Sequence, residues 1–519
     1  MHGLARHAER LKMEALLDAA PGSLEFLEET PAAELRALRL ALRDDFFDRH
    51  HDRFARIAAC SKLLPVSVSA LIARKALGPL LSARVTAHLP PGNAIAMARH
   101  EPVGFLTDVC LYTDPRRVRP MLAGMPAATI IAVAGELARR GDAVTMGEMA
   151  GYLPETVMPQ VLALLATDNA LLLRASLFID EDAALRRLAD LISDAHAVAI
   201  MQDADRHGLW PVALYLMQRL DAPRRARFGD ALAGQDDILI NRLVRAIHDN
   251  GLWPAALPIL ADLGKVSRGR LAAASAVHEP EVIEDIVAAA EAHDLWPALL
   301  TLTPLLDEDS QRRLLALPAL QQPVTLAHIL RAADAGERWA DMLPLLNLMD
   351  DAALRLMAEI GEALDDAAVQ SLLQAAHQHR LWSQALRLTG ALSEAQRQRA
   401  GRLVLAAGPS MLEGLLRHIA RHDEWLLLIE WHDALLADTR RELLEASCRL
   451  GDALVAEWLG ALVGAGINLR LQDTLALCNT ATHARVEAAI RRLPEPQQPE
   501  LLALLASISH EPGALHSPA

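Results

Sequence analysis

A pattern of apolar and polar positions repeats every 43 residues along the chain after residue 200. Its clearest markers are six tryptophans, which are Trp210, Trp253, Trp296, Trp339, Trp382 and Trp425. Four positions after each tryptophan, one helical turn later, the residue is again apolar. Proline directly follows three of the tryptophans, and proline is favoured at the first position of a helix. The pattern predicts a short helix that begins at each tryptophan.

Two more helices are predicted in each copy. Eleven residues after the tryptophan stand side chains that cap helix N-termini, namely Asp221, Asp307, Asp350 and Ser393. Sixteen residues later come helix-opening residues, namely Asp237, Pro280, Pro323, Asp366, Pro409 and Asp452. Each of these is followed by apolar residues at four fixed offsets, as in Ile240, Leu243, Val244 and Ile247. This spacing is one face of an α-helix.

A unit of 43 residues cannot bury the apolar face of its own helices, so neighbouring units are expected to stack, with the tryptophans buried as wedges between them. The sequence predicts an all-α protein with an α-solenoid of about seven three-helix repeats over residues 167–467. The first repeat is degenerate and has Thr167 in the tryptophan position. An irregular helical region, residues 1–166, precedes the array. Capping helices and a frayed tail, residues 468–519, follow it.

The period and the helix count resemble those of armadillo and HEAT-type helical repeats. This resemblance implies a curved superhelix with a groove lined by the third helices and a binding role, and it carries over no catalytic residue. The exposed positions of the third helices vary between copies, as a surface that reads a partner would. The groove positions singled out are Arg242, Arg245, His328, Arg331, Gln374 and Arg417. We expect them to grip an extended or helical segment of a protein partner.

Composition and charge narrow the choice of partner and compartment. Only 3% of residues are aromatic, which disfavours sheets, and a net charge of −15 makes nucleic acid an unexpected partner. Arginine far outnumbers lysine, which is typical of a GC-rich, bacterial genome. The four cysteines are far apart and no apolar run is long enough to span a bilayer. We therefore expect a cytoplasmic protein without cofactor or membrane insertion, and leave its oligomeric state open.

One segment allows a different interpretation. Asp44, Asp48 and His51 share a helix face and could ligate a divalent ion. The alternative hypothesis is thus a metal-binding protein or an enzyme that uses this helix, with the repeats as a regulatory arm. The competing interpretation is a solvated helix face whose carboxylates pair with neighbouring arginines. A compact basic group, Arg116, Arg117 and Arg119, could likewise hold a phosphate or simply begin a helix. No nucleotide-binding or hydrolase motif occurs, so the sequence favours a protein that is not an enzyme.

Overall fold

A computed structural model describes residues 2–61, 63–433, 435–464 and 468–509. These residues form helices and connecting turns, and none of them lies in a β-strand. The predicted all-α helical-repeat fold is confirmed. Contacts divide the chain into two units, Met1–Glu279 and Pro280–Ala519. The predicted domain limits at residues 166 and 467 remain a prediction, and the predicted tail after residue 509 lies outside the described residues.

In the first unit the α-helices are α1 (His2–Leu17), α2 (Ala32–Asp48), α3 (His51–Ser61), α4 (Val66–Ile72), α5 (Gly78–Thr86), α6 (Pro91–Ala98), α7 (Val103–Leu111), α8 (Pro115–Gly124), α9 (Ala127–Arg140), α10 (Ala143–Ala150), α11 (Met158–Leu165), α12 (Asn169–Leu177), α13 (Asp182–Leu191), α14 (Asp194–Arg206), α15 (Trp210–Gln218), α16 (Ala222–Ala233), α17 (Asp237–Asp249), α18 (Trp253–Asp262) and α19 (Lys265–Ala272). A π turn spans Ala73–Leu77, and short 3-10 helices span Glu25–Leu27 and Ser275–His278.

In the second unit the α-helices are α20 (Pro280–Ala292), α21 (Trp296–Leu302), α22 (Glu308–Ala316), α23 (Pro323–Ala335), α24 (Trp339–Met342), α25 (Asp351–Gly361), α26 (Asp366–His379), α27 (Trp382–Arg387), α28 (Glu394–Ala406), α29 (Pro409–His422), α30 (Trp425–Asp433), α31 (Ala437–Leu450), α32 (Asp452–Gly464), α33 (Asn468–Ala476), α34 (Thr480–Ile490) and α35 (Gln498–Ser509). The 3-10 helices are Thr303–Leu305, Pro318–Gln321, Leu343–Leu348 and Glu495–Gln497.

The repeat pattern appears in the helices themselves. A helix begins at each of the six repeat tryptophans, and the six third helices begin at the expected proline or aspartate. The tryptophans are buried, with at most 7% of their surface exposed, so they form part of the core as predicted. Residues 167–209 contain α12, α13 and α14, the same succession of three helices. The side chain at the last repeat's fourth apolar position, Leu462, is outside the described residues.

Capping side chains fix where the second helices begin. Asp221, Asp307 and Asp350 each accept a hydrogen bond from the backbone N–H three residues later. Ser393 does the same, and its own backbone N–H donates to the side-chain oxygen of Gln396, which completes a capping box. The polar residue at this offset therefore begins the second helix in each of these copies.

Most helices of the irregular N-terminal region are short, and five of the eleven that the structure describes there directly follow a proline, namely α2, α4, α6, α7 and α9. The apolar helices α6, α9 and α11 begin one to four residues after Pro90, Pro126 and Pro154. Gly147 in α10 lets this helix lie against α12, since a Cβ at that position would be 2.1 Å from the carbonyl oxygen of Ala175. Successive short helices of this kind enclose an apolar cavity.

Candidate ligand cavity in the first unit

A largely apolar cavity of about 180 Å³ lies among helices α5 to α13. It is somewhat larger than an engineered cavity of about 150 Å³ that stays dry and binds benzene. Six of the chain's 14 methionines line it, namely Met97, Met121, Met125, Met146, Met149 and Met158. Methionine side chains are flexible and polarizable, so a wall rich in them adapts to the shape of an apolar ligand.

Glu101 is the one charged side chain among the described residues that line this cavity. It lies in the turn between α6 and α7, and its side chain is only 5% exposed. Neither carboxyl oxygen has a hydrogen-bond partner, and the nearest cation, Arg74, keeps its Nε 3.8 Å away. Burial raises the pKa of Glu101, against the opposing effect of Arg74. The cavity therefore offers a hydrogen-bond acceptor that its own walls leave unused.

Cys110 also lines the cavity, and its chemistry bears on catalysis. Burial raises the pKa of its thiol to about 12, so the thiol is protonated at physiological pH. A nucleophilic cysteine needs the thiolate form, which cationic neighbours or a helix N-terminus normally stabilise. The thiol therefore contributes to the apolar wall and is a poor nucleophile. The arrangement of Glu101 and Cys110 suits binding better than covalent catalysis.

Three of the predicted groove arginines are paired with carboxylates of this chain. Arg242 contacts Asp205 at 2.8 Å, and Arg245 contacts Glu279 at 3.0 Å. In the second unit, Arg417 contacts Glu413 at 2.5 Å. Arg331 and Gln374 are exposed, while His328 is half-buried. Charges compensated in this way leave little free positive potential along these helices, and the role of the six positions remains a prediction.

The metal-ligand interpretation of α2 and α3 does not fit the geometry. Asp44 accepts from Arg116 at 2.6 Å, and Asp48 pairs with Arg117 at 3.0 Å. The ring of His51 packs edge to face against the ring of His88, with 4.5 Å between the ring centroids. Over the described residues no group of three or more histidine, cysteine or acidic side chains could hold a metal ion. Arg116 and Arg117 instead neutralise these carboxylates, which favours the ion-paired, solvated helix face over a metal site.

No protein-family model matches this sequence, and no curated protein matches it significantly. Several solved structures match this chain over most of its length. They include the pentatricopeptide repeat protein PPR10 in complex with an 18-nucleotide psaJ RNA element, at 10% identity over 91% of this chain and 98% of that chain. A cysteine-substituted form bound to the same RNA element matches at 11% identity over the same shares. The same protein from maize matches at 11% identity over 94% of this chain and 99% of that chain. The TM-score is 0.12 in each case.

These similar structures correct two of the sequence-based predictions. We expected a protein partner along the third helices and excluded nucleic acid, whereas two of the three structures are complexes with RNA. Both predictions are therefore wrong. The class of fold, a helical repeat, is shown by the helices of this chain itself, without the armadillo or HEAT type in particular.

Proposed function

We propose that this chain is a non-enzymatic helical-repeat protein that binds a small apolar molecule in the cavity of its first unit. The observation that carries the proposal is a methionine-rich apolar cavity with one buried carboxyl group at its wall that makes no hydrogen bond. Ligand sites are typically apolar with a few polar groups that fix orientation. A ligand with an apolar body and one hydroxyl or amine donor would match the wall and satisfy Glu101.

We also propose a repeat type and a cellular location for this chain. The 43-residue period and the three helices per copy support an armadillo or HEAT-type repeat. The four cysteines are free in the structure, with Cys448 and Cys110 well removed from thiolate chemistry because burial raises their pKa values to about 11 and about 12. Free thiols are consistent with a reducing, cytoplasmic location.

A fluorescence titration tests the cavity. We would use N-phenyl-1-naphthylamine, a neutral apolar probe with one N–H donor, whose emission rises when it leaves water. The substitution Val133→Phe adds a ring to the lining and should weaken probe binding at least tenfold, because the added atoms occupy the space that the ligand needs. The matched control is Ala132→Phe, which adds the same ring at the adjacent, exposed position of α9 and should leave binding unchanged.

Circular dichroism must show that both variants keep the helicity of the wild type. Equal binding by the Val133→Phe and Ala132→Phe proteins would contradict the proposal, since the probe would then be outside the cavity. If the wild-type protein failed to bind the probe but bound single-stranded RNA with an affinity that falls as salt is added, the proposed ligand-binding function would be replaced by nucleic-acid binding.

A further inference from the structure

The segment from α3 to α5 is an exposed apolar surface in a strongly basic stretch of an acidic protein. Residues 53–100 contain seven lysine and arginine residues and no aspartate or glutamate, although the whole chain carries a net charge of −15. Nine of the 22 large apolar side chains that are exposed among the described residues lie between residues 57 and 81. Soluble proteins rarely expose a contiguous apolar patch without an interaction to explain it.

Helix α4 has its amphipathic pattern reversed. Its small residues Ser69 and Ala70 are buried, together with Ala73 just after it, while Val68, Leu71 and Ile72 are exposed. Val68, Leu71, Ile72 and Lys75 follow one another at helical spacing, so the larger apolar side chains form one stripe that ends in an exposed cation. Leu64 is exposed in the bend just before the helix. A helix of a folded soluble protein normally turns such a stripe toward the core, so this stripe is available to something outside the chain.

The segment Val66–Thr86 is long and apolar enough to cross a membrane by length and composition, and 28% of its most apolar window is buried. Its geometry argues against crossing. Gly78 has a φ of 69°, in the left-handed region, and the Ser82 hydroxyl donates to the carbonyl of Ala73 at 3.2 Å. Nine residues of straight helix would separate those positions by about 13.5 Å. The chain therefore reverses at Gly78.

The part before this reversal is too short to span a bilayer. The seven residues of α4 and the five of the π turn rise about 18 Å, against a hydrocarbon core of about 30 Å. An apolar stripe beside cations on a helix that cannot span is the pattern of interfacial binding, in which side chains enter the boundary between headgroups and acyl chains. Protein-binding hot spots favour tryptophan, tyrosine and arginine; residues 53–81 contain three arginines but neither of the two aromatic residues.

We propose that the α4 surface, made of Leu64, Val68, Leu71, Ile72 and Lys75, docks onto an anionic lipid membrane without crossing it. The apolar side chains would enter the interface, and the exposed cations of residues 53–100, such as Lys75, would be attracted to acidic headgroups. This docking is independent of the cavity and could fail while the ligand site stands.

Vesicle co-sedimentation of the full chain tests the docking. We expect wild-type protein to sediment with vesicles of phosphatidylcholine and phosphatidylglycerol, and much less with phosphatidylcholine alone. The double variant Leu71→Ser, Ile72→Ser should lose at least tenfold in affinity because it removes apolar area. The single variant Lys75→Glu should lose at least about fivefold, and added salt should weaken binding further.

Matched controls come from an exposed pair elsewhere in the first unit. Lys265→Glu makes the same charge reversal, and Val266→Ser likewise replaces an exposed apolar side chain by serine, at exposed positions of α19; both should bind vesicles like the wild type. Wild-type protein that binds neither vesicle, or α4 variants that bind as well as the controls, would overturn the proposal. Two other results, each obtained with protein that does not bind vesicles, would also overturn the proposal. One is a dimer, seen by light scattering, that the Leu71→Ser, Ile72→Ser variant no longer forms. The other is RNA binding that Lys75→Glu abolishes.

Discussion

Burial of the Glu101 carboxyl group in the cavity wall lowers the free energy of unfolding of the protein. Burial raises its pKa, so the folded protein holds this proton more tightly than the unfolded chain and loses stability as pH rises from the usual carboxyl range through the raised pKa. We therefore expect Glu101→Gln to increase the free energy of unfolding at pH 7 by about 1 kcal/mol. The increase should disappear well below pH 4, where Glu101 is protonated in both states. Urea unfolding at several pH values measures it.

Glu136 provides a control of opposite sign. Arg139 and Arg140 donate hydrogen bonds to Glu136 and lower its pKa to about 2. Glu136→Gln should therefore lower stability at pH 7, and this effect should fade as pH falls toward 2. If both glutamine variants shifted stability in the same direction, the difference in environment between the two carboxylates would not be the cause.

Two buried tryptophans differ in one hydrogen bond. Trp296 and Trp339 are each 1% exposed, but only the indole N–H of Trp339 has an acceptor, Asp334 at 3.3 Å. Replacement by phenylalanine removes similar volume at both sites. At Trp296 it also removes a buried donor without a partner, whereas at Trp339 it breaks a bond to a carboxylate. We expect Trp339→Phe to be about 1–2 kcal/mol more destabilising than Trp296→Phe in urea unfolding. Equal losses would show that packing alone sets the cost.

At the level of elements, regular spacing in the sequence determined most helix starts in the repeats. The tryptophan, the cap and the opener each act within one or two turns, so their positions suffice to predict three helices per copy. Local breaks were missed. Helix α24 ends after four residues and is followed by a 3-10 helix over Leu343–Leu348 that contains Pro344. Pro258 stands at the same repeat position but lies inside the continuous helix α18, so the proline alone does not predict the break.

The candidate sites were harder to predict than the helices. Asp44 and Asp48 resembled metal ligands because their arginine partners lie about 70 residues further along the chain. Glu101 could not be recognised because its burial depends on packing of helices that are separate in sequence. The basic stretch before it, by contrast, could have been found by counting charges along the chain. Sequence spacing reports contacts within a helix, and these sites depend on contacts between helices.

A cap in the second unit gives a prediction at the element scale. Ser393 accepts a hydrogen bond from the backbone of Gln396 and begins α28. Ser393→Ala should lower the free energy of unfolding by about 1 kcal/mol, because the bond to the first turn is lost. Ser393→Asp keeps an acceptor at that position and should retain most of the stability. Hydrogen exchange of the α28 amides would locate the effect, and uniform exchange in both variants would speak against a capping role.

On the scale of the first unit, a buried ion cluster joins the N-terminal helices to the first repeat. Three cations, Lys12, Arg39 and Arg43, face three carboxylates, Glu9, Glu148 and Asp180, and the cluster is neutral overall. Arg39 is completely buried and contacts all three carboxylates at 2.8–3.1 Å. The cluster links α1, α2 and α10 to the turn after α12. The irregular region and the first repeat therefore depend on each other for stability.

Asp180 makes this dependence sensitive to acid. Burial opposes its ionisation, but Lys12 and Arg39 outweigh that effect and lower its pKa from 3.8 to about 2. A depressed pKa contributes stability that is present above the unfolded value and is lost as pH falls through the folded value, here between about 4 and 2. Asp180→Asn would remove one of the three negative charges that balance Lys12, Arg39 and Arg43, and should lower the free energy of unfolding by about 3–5 kcal/mol at pH 7.

The stability of the Asp180→Asn protein should then change less between about pH 4 and pH 2 than that of the wild type. Hydrogen exchange of the variant should be faster within residues 2–279 and unchanged within residues 280–509. An equal loss of protection in both ranges would contradict a role confined to the first unit.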